Sequence, residues 1–194
     1  MIKNWRANHS GSDLDAHHFE FAEEIRTGVA LFPVPVETAG TTRAMTANRL
    51  FAMPWYVPRA ITVDELLIEV TSAGAGATYA RLGIYNVGTN LYPGTLKLDG
   101  GTVLTDSNAV VSLAISQALT KGLYFLAVIC SGTPTIRGWK PTWTPLGSRS
   151  NSLDFVTASV YIDSEDPTEL PDPFGTPTAD FHEGYGNYAI SSLD

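Results

Sequence analysis

The segment Gly122–Cys130 constrains the fold more than any other stretch, because it is apolar on both of its alternating faces. Successive side chains of a strand point to opposite sides, so a strand of this composition must be covered by other protein on both sides. We therefore predict that it is the central strand of the domain. One face carries Tyr124, Leu126, Val128 and Cys130, and the other carries Phe125, Ala127 and Ile129.

Shorter apolar runs surround this segment, and Gly, Pro, Asn or Asp residues bound each of them. Several short strands separated by such turn residues predict an all-β fold, either a sandwich or a barrel. In one run the apolar residues move from odd-numbered positions, such as Val63, to even-numbered positions, such as Leu66. This shift in the alternation predicts a β-bulge near Asp64 and Glu65. The runs cover residues 61–71, 78–85, 101–105, 109–116 and 153–162.

The remaining stretches read as connections or weaker strands. Residues 48–57 have the composition of a strand interrupted at Pro54. Residues 86–101 and 131–151 are rich in Gly, Pro and Asn, so we predict long loops there. The tail from Asp163 carries prolines and acidic residues, but its apolar residues predict that it lies on a surface of the domain. Those apolar residues are Leu170, Phe174, Phe181, Tyr185 and Tyr188.

The N-terminal region differs from the rest, and we divide the chain into an arm and helix at residues 1–28 and a β-sandwich domain at residues 29–194. Ser12 can cap a helix over residues 13–27, and Gly28 can end it. A strand is the alternative, because Phe19 and Phe21 alternate with polar residues. On the helix, one narrow apolar stripe predicts a face for attachment or oligomerisation. The stripe consists of Leu14, His18, Phe21 and Ile25.

Composition argues against several classes of partner. The net charge is -8, with 20 acidic and 12 scattered basic residues, so nucleic acid and anionic membranes are poor partners. No run of about 18 apolar residues is present, which argues against membrane insertion, and the N-terminus lacks the apolar core of a signal peptide. We expect a soluble protein made in a cytoplasm. Cys130 is the single cysteine, so no intrachain disulfide forms, and we predict a buried, unreactive thiol.

Several short segments between residues 47 and 137 follow one another in an order that is found in other proteins. They are Ala47-Asn48-Arg49-Leu50-Phe51, Trp55-Tyr56-Val57-Pro58, Ile61-Thr62-Val63-Asp64, Ile68-Glu69-Val70-Thr71, Ala80-Arg81-Leu82-Gly83-Ile84-Tyr85, Tyr92-Pro93-Gly94, Leu98-Asp99-Gly100-Gly101-Thr102-Val103, Gly122-Leu123-Tyr124-Phe125-Leu126-Ala127-Val128 and Gly132-Thr133-Pro134, with Leu170-Pro171-Asp172-Pro173-Phe174 later. This order resembles a domain of phage virion proteins, mainly tail-fibre or receptor-binding proteins and head fibres or decorations. The resemblance implies a jelly-roll-like β-sandwich, usually a homotrimer on the particle. It implies no catalytic residues, because the shared segments mark turns and strand starts.

No nucleotide-binding, metalloprotease or serine-hydrolase motif occurs, so we predict neither an enzyme nor a cofactor. The carboxylates of Asp163, Glu165 and Asp166 could bind calcium, but a solvated acidic turn is the favoured interpretation. His9, Asp13 and His17 could share a metal on the N-terminal helix, but a solvated polar face is again favoured. We therefore predict no metal site.

Large aromatic rings lie in the predicted loops. Exposed rings of this kind can stack on sugar faces or anchor subunit contacts, and loop tryptophans more often cap the open ends of a sandwich. The candidate ligand-binding residues are Tyr92, Trp139 and Trp143, and Trp55 has a similar setting.

The sequence therefore predicts a structural protein of a phage particle. Its expected partners are its own copies in a homotrimer, other virion proteins of the capsid or tail, and a host surface glycan. The small size favours a head fibre or capsid decoration over a complete tail fibre, and head or tail location stays open. The alternative function is a carbohydrate-binding module or adhesin. The expected location is the virion, after synthesis in the host cytoplasm.

Overall fold

The computed structural model describes residues 36–141, 146, 159–181, 184–185 and 188–192. Regular structure in this part of the chain is almost entirely β, and none of its helices is long and apolar enough to cross a membrane. The predicted helix at residues 13–27, its stripe and the division at residue 28 lie outside the described residues. So do the three residues of the alternative metal site there.

Twelve strands and one short 3-10 helix form within these described ranges. They are β1 Val36–Ala44, β2 Leu50–Val57, β3 Ile61–Ser72, β4 Tyr79–Val87, the 3-10 helix Thr89–Leu91, β5 Pro93–Leu104, β6 Ala109–Leu119, β7 Gly122–Cys130, β8 Thr135–Pro141, β9 Ser159–Ile162, β10 Ala179–Phe181, β11 Gly184–Tyr185 and β12 Tyr188–Ser192.

The strands form two antiparallel sheets that pack face to face. Sheet A has the order β1-β8-β3-β12, with β6 on the other edge of β3 and β11 beside β8. Sheet B has the order β10-β9-β2-β7-β4-β5. The predicted all-β sandwich is confirmed.

Strand β7 is central to sheet B, as its composition predicts. It pairs with β2 along one edge and with β4 along the other. The side chains of Tyr124, Leu126 and Val128 enter the core between the sheets. Those of Phe125 and Ile129 enter a second apolar cluster on the outer face of sheet B. A strand with two buried faces needs a layer of chain on each side of its sheet, which makes three layers in all.

The predicted β-bulge in β3 is also confirmed. The register of β3 shifts between Val63 and Glu65 against both β6 and β12. Because of this shift, Val63 and Leu66 both reach the core between the sheets, where each is 0% exposed. The spacing of three positions between these two residues therefore indicates one strand with a bulge and not two separate strands.

The third layer is a segment without regular secondary structure, residues 163–178, which we call the strap. Leu170 and Phe174 of the strap are 5% and 1% exposed and pack on the outer face of sheet B. The prediction that the tail lies on a surface is confirmed for these two residues. The side chains of Phe181, Tyr185 and Tyr188 lie outside the description.

The loop predicted at residues 86–101 is wrong from residue 93 onward, because β5 begins at Pro93. The glycines that suggested turns instead shape an irregular edge strand. Gly83 of β4 pairs with Asp99 and Leu82 pairs with Gly101, so Gly100 is an extra residue in β5. Gly101 has a φ of 101°, which favours glycine, and its N–H donates to Asp99 Oδ1. An edge strand irregular in this way is a poor template for another strand.

Three more details correct the sequence interpretation. The predicted loop at residues 131–151 contains β8, so Trp139 is a strand residue. Strand β2 continues through Pro54, beyond the last residue that pairs with β9, where a missing N–H is tolerated. Trp55 is 2% exposed in the core between the sheets and does not lie in a loop.

Cys130 ends β7 and is 0% exposed. Burial raises the pKa of its thiol to about 12, so the thiolate is scarce at neutral pH. The predicted buried cysteine is confirmed.

Candidate ligand-binding cleft at one end of sheet B

An open cleft of about 650 Å³ lies where the connection from β4 to β5 meets the strap. Residues 87–90 and 92–95 form one wall, and residues 173 and 175–177 form the other. Sheet B supplies the first wall and residues about eighty positions later supply the second. The cleft therefore exists only when the strap is docked.

The first wall is a tight turn whose shape depends on two glycines. Gly88 N–H donates to the carbonyl of Tyr92 at 2.6 Å, and Tyr92 N–H donates to the carbonyl of Thr89 at 3.2 Å. Between them, Asn90 and Leu91 have φ values of 56° and 61°. A Cβ atom on Gly88 would lie 2.9 Å from the Cα of Gly94, so no larger residue fits there without a shift.

The second wall is held to sheet B by hydrogen bonds to backbone groups on the outer edge of β5. Leu96 N–H donates to Asp172 Oδ1 at 2.9 Å, and Phe174 N–H donates to the carbonyl of Gly94 at 2.9 Å. These bonds align the strap as an irregular neighbour of β5. They also occupy the backbone groups that another strand would need at this edge.

Two contacts of the Tyr85 side chain hold the strap against sheet B. Its hydroxyl donates to the carbonyl of Pro171 at 2.8 Å, and the ring of Phe174 meets its ring edge-on at 5.1 Å between centroids. Burial, followed by the charges of Asp99, Asp172 and Glu165, raises the pKa of Tyr85. The phenol therefore stays protonated at neutral pH and keeps this hydrogen bond.

The start of the strap is clamped by Arg49. Its Nε donates to Asp163 Oδ1 at 2.5 Å, and its guanidinium carbon lies 4.2 Å from the centroid of the Tyr161 ring. The neighbouring Asn48 has a φ of 61°, and its carbonyl accepts from Glu165 N–H. The segment around Arg49 thus has a structural task in this chain.

Two acidic side chains near the start of the strap accept hydrogen bonds from other residues of the domain. Asp163 pairs with Arg49, whereas Asp166 Oδ1 accepts from the N–H and the hydroxyl of Thr168. These bonds to Thr168 lower the pKa of Asp166. Within the described ranges, no group of three or more His, Cys, Asp or Glu side chains is placed to hold a metal ion.

The lining of the cleft is uncharged and mixed in character. Tyr92 is half-buried and contacts the outer apolar cluster, while Pro93 and Pro173 add apolar surface. In the part of the chain that the structure describes, the exposed side chains of Asn90 and Thr176 donate and accept no hydrogen bond. Among the described residues, no Lys, Arg, His, Asp, Glu or Cys side chain lines this cleft.

The structure places two of the predicted aromatic residues on different sheets. Tyr92 lines the cleft at the β4–β5 connection, whereas Trp139 belongs to β8 in the opposite sheet. Trp143 lies outside the described residues. Sequence reasoning missed Asn90 and Thr176, although the close pair Gly88 and Gly94 and the prolines of the strap were signals of a tight junction.

A second, shallower cleft of about 290 Å³ lies on sheet A beside Val110. Its charged residues, Glu69 and Arg137, form a two-pronged ion pair with distances of 3.0 Å and 2.7 Å. The hydrogen bond from Arg137 lowers the pKa of Glu69, against a smaller opposing effect of desolvation. The pair neutralises itself and offers no free acid or base.

This ion pair predicts a pH dependence of stability. Because the pKa of Glu69 is lowered from 4.5 on folding, its contribution is present above that value and is lost as the pH falls through the folded pKa. In urea unfolding, Glu69→Gln should cost more free energy at pH 6 than at pH 3. Solvent screening of this half-exposed pair keeps the difference below about 1 kcal/mol. A cost that does not change with pH, or one that persists unchanged in an Arg137→Gln background, contradicts the prediction.

The sequence matches no protein-family model and no curated protein. Among solved structures, the fold is similar to a crystal structure of the cysteine protease and lectin-like domains of Cwp84, a surface layer associated protein of Clostridium difficile. The identity is 13% and the TM-score is 0.48 over 76% of this chain. The match spans only 33% of the length of that protein chain.

Proposed function

We propose that this chain is a structural protein on the surface of a phage particle, either a head fibre or capsid decoration or a tail-fibre component. It assembles as a homotrimer, contacts other virion proteins and is not an enzyme. Its location is the virion after synthesis in the host cytoplasm. Residues 1–28, including the stripe Leu14, His18, Phe21 and Ile25, serve attachment or oligomerisation.

One observation carries this proposal: the segments that resemble phage virion proteins have structural tasks within one sandwich. Asn48 turns the chain into β2 and Arg49 clamps the strap. Gly94 fits against Gly88, and the run from Asp99 forms the bulge of β5. A set of shared turns and bulges supports a shared architecture, because each of these positions tolerates few residues.

We expect the purified chain to have about three times its monomer mass of 20.9 kDa in native mass spectrometry and light scattering. The mass should not fall in high salt, because salt screens interactions between charges and does not weaken apolar subunit contacts. Imaging of particles with and without the protein should then show one emptied position on the head or tail. A monomer at micromolar concentration, or identical particles, contradicts the proposal.

The second candidate function is that of a carbohydrate-binding module or adhesin. The observation that favours it is the uncharged cleft beside Tyr92, with polar side chains on both walls. The two candidates are separable, since a monomer retained on a glycan column supports the second and excludes the first. A trimer that is retained supports a virion protein that contacts a host glycan.

A further inference from the structure

We propose that the cleft between the β4–β5 turn and the strap binds one neutral pyranose ring at the end of a glycan. Tyr92 packs under the C–H face of the sugar, while Asn90 and Thr176 hydrogen-bond to its hydroxyls from the two walls. This inference rests on the carbohydrate-binding candidate and does not depend on the particle or the trimer.

The size and charge of the cleft select the ligand class. Its volume of about 650 Å³ lies in the range of small-molecule sites, roughly 300–1,000 Å³. Residues 87–90, 92–95, 173 and 175–177 include no Lys, Arg, His, Asp or Glu. A sugar acid or a phosphate would lose its water here without gaining a cation, so a neutral ligand is favoured.

The arrangement of polar and apolar groups matches a sugar better than an apolar molecule. A pyranose has one face of C–H groups and a rim of hydroxyls, which suit an aromatic ring surrounded by neutral donors and acceptors. The amide of Asn90 and the hydroxyl of Thr176 are exposed and have no hydrogen bond within the described chain. They can therefore exchange water for sugar hydroxyls without breaking a bond of the fold.

A peptide that adds as a strand does not fit this place. The carbonyl of Gly94 already accepts from Phe174, and Leu96 N–H already donates to Asp172. Strand addition uses free backbone groups at a sheet edge, and these groups are occupied where β5 borders the cleft.

The site is formed before the ligand arrives. The hydrogen bond from Gly88 to Tyr92 closes the turn that carries Asn90, and the strap wall is tied to β5 on either side of residue 173. A fixed turn loses little conformational entropy on binding, which helps a small ligand.

The test uses saturation-transfer NMR on the full chain, with methyl glycosides of glucose, galactose, mannose and N-acetylglucosamine as probes. Glucuronic acid serves as the anionic comparison. At least one neutral glycoside should bind with a millimolar dissociation constant, and glucuronic acid should bind at least tenfold more weakly. Absence of binding by every neutral probe overturns the inference, as does equal binding of glucuronic acid.

Asn90→Asp locates the site with little risk to the fold, because aspartate also tolerates a positive φ. It removes the amide donor and adds a charge, so the neutral sugar should bind about tenfold more weakly. Thr102→Asp adds the same charge at an exposed position of β5 away from the cleft and should leave binding unchanged. Equal affinities of the two variants overturn the inference.

Tyr92 is tested by a pair of variants. Tyr92→Phe keeps the ring and should keep sugar binding within about threefold, whereas Tyr92→Ala should weaken it about tenfold. Thermal unfolding of both variants shows whether the fold is retained. A folded Tyr92→Ala protein with unchanged affinity contradicts the assignment of the ring.

The result also separates this inference from the carbohydrate-binding function. If the wild type binds a neutral glycoside and Asn90→Asp and Tyr92→Ala bind it equally well, the function stands and the cleft is the wrong site. If no glycan is bound, both fail. The mass and imaging experiments decide the particle proposal independently.

Discussion

Phe174→Ala should lower the free energy of unfolding by about 3–5 kcal/mol, the largest effect that we expect from a single truncation in the strap. The ring is 1% exposed and packs edge-on against Tyr85, so its removal leaves a cavity under the strap. The backbone N–H of the same residue ties the strap to Gly94. Urea unfolding followed by tryptophan fluorescence and circular dichroism measures this change.

The matched control is Leu104→Ala, which truncates a side chain that is 59% exposed at the end of β5. Its expected cost is below about 1 kcal/mol, because little apolar area is buried there. If Phe174→Ala costs no more than this control, the strap is not a structural layer of the domain. Docking of the strap also forms the cleft, so any sugar affinity should fall together with stability in the Phe174 variant.

Gly83→Ala should destabilise the protein by about 1–3 kcal/mol, although alanine is usually the better residue in a strand. A Cβ on Gly83 would overlap Cδ1 of Leu170 and would lie 2.7 Å from the carbonyl oxygen of Leu98. The first contact is with a buried side chain of the strap, and the second is with backbone that cannot move without disturbing β5. Differential scanning calorimetry and urea unfolding measure the cost.

Gly122→Ala is the matched control for this prediction, because it also places a methyl group in a strand of sheet B. The nearest atom to a Cβ there is Cε2 of Tyr124 at 3.8 Å, an ordinary contact. We expect no loss of stability, or a gain of up to about 1 kcal/mol through the unfolded chain. Equal effects of the two variants would mean that Leu170 does not press on Gly83.

Patterns with a single physical explanation predicted the fold well. The two apolar faces of β7 required cover on both sides, and the phase change from Val63 to Leu66 required an extra residue in β3. Both features depend on side-chain alternation, which a strand imposes whatever its surroundings. Leu170 and Phe174, two of the apolar residues of the tail, likewise required a surface on which to pack.

Glycine and proline were the main source of error, because their conformational freedom and constraints serve more than one structure. The run from Asp99 to Gly101 reads as a turn, yet it forms a bulge inside β5. Pro54 reads as a break, yet β2 continues through it. Only the neighbouring strands decide between these outcomes, and the local sequence does not specify them.

The candidate site was predictable only in part. Tyr92 was a candidate because it is a large aromatic ring in a predicted loop, but Thr176, on the other wall of the cleft, lies about eighty residues away in the sequence. Trp139 was placed in a loop because prolines follow it, and its pairing within β8 depends on distant strands. A site formed by two remote segments becomes visible only after the chain has folded.

The strap also has a consequence for biosynthesis. Until the ribosome has released residues 163–178, the side of β7 that carries Phe125 and Ile129 has no cover from that segment. An uncovered apolar surface on a nascent chain favours aggregation or chaperone binding. Completion of the domain must therefore wait until residues 163–178 have been translated.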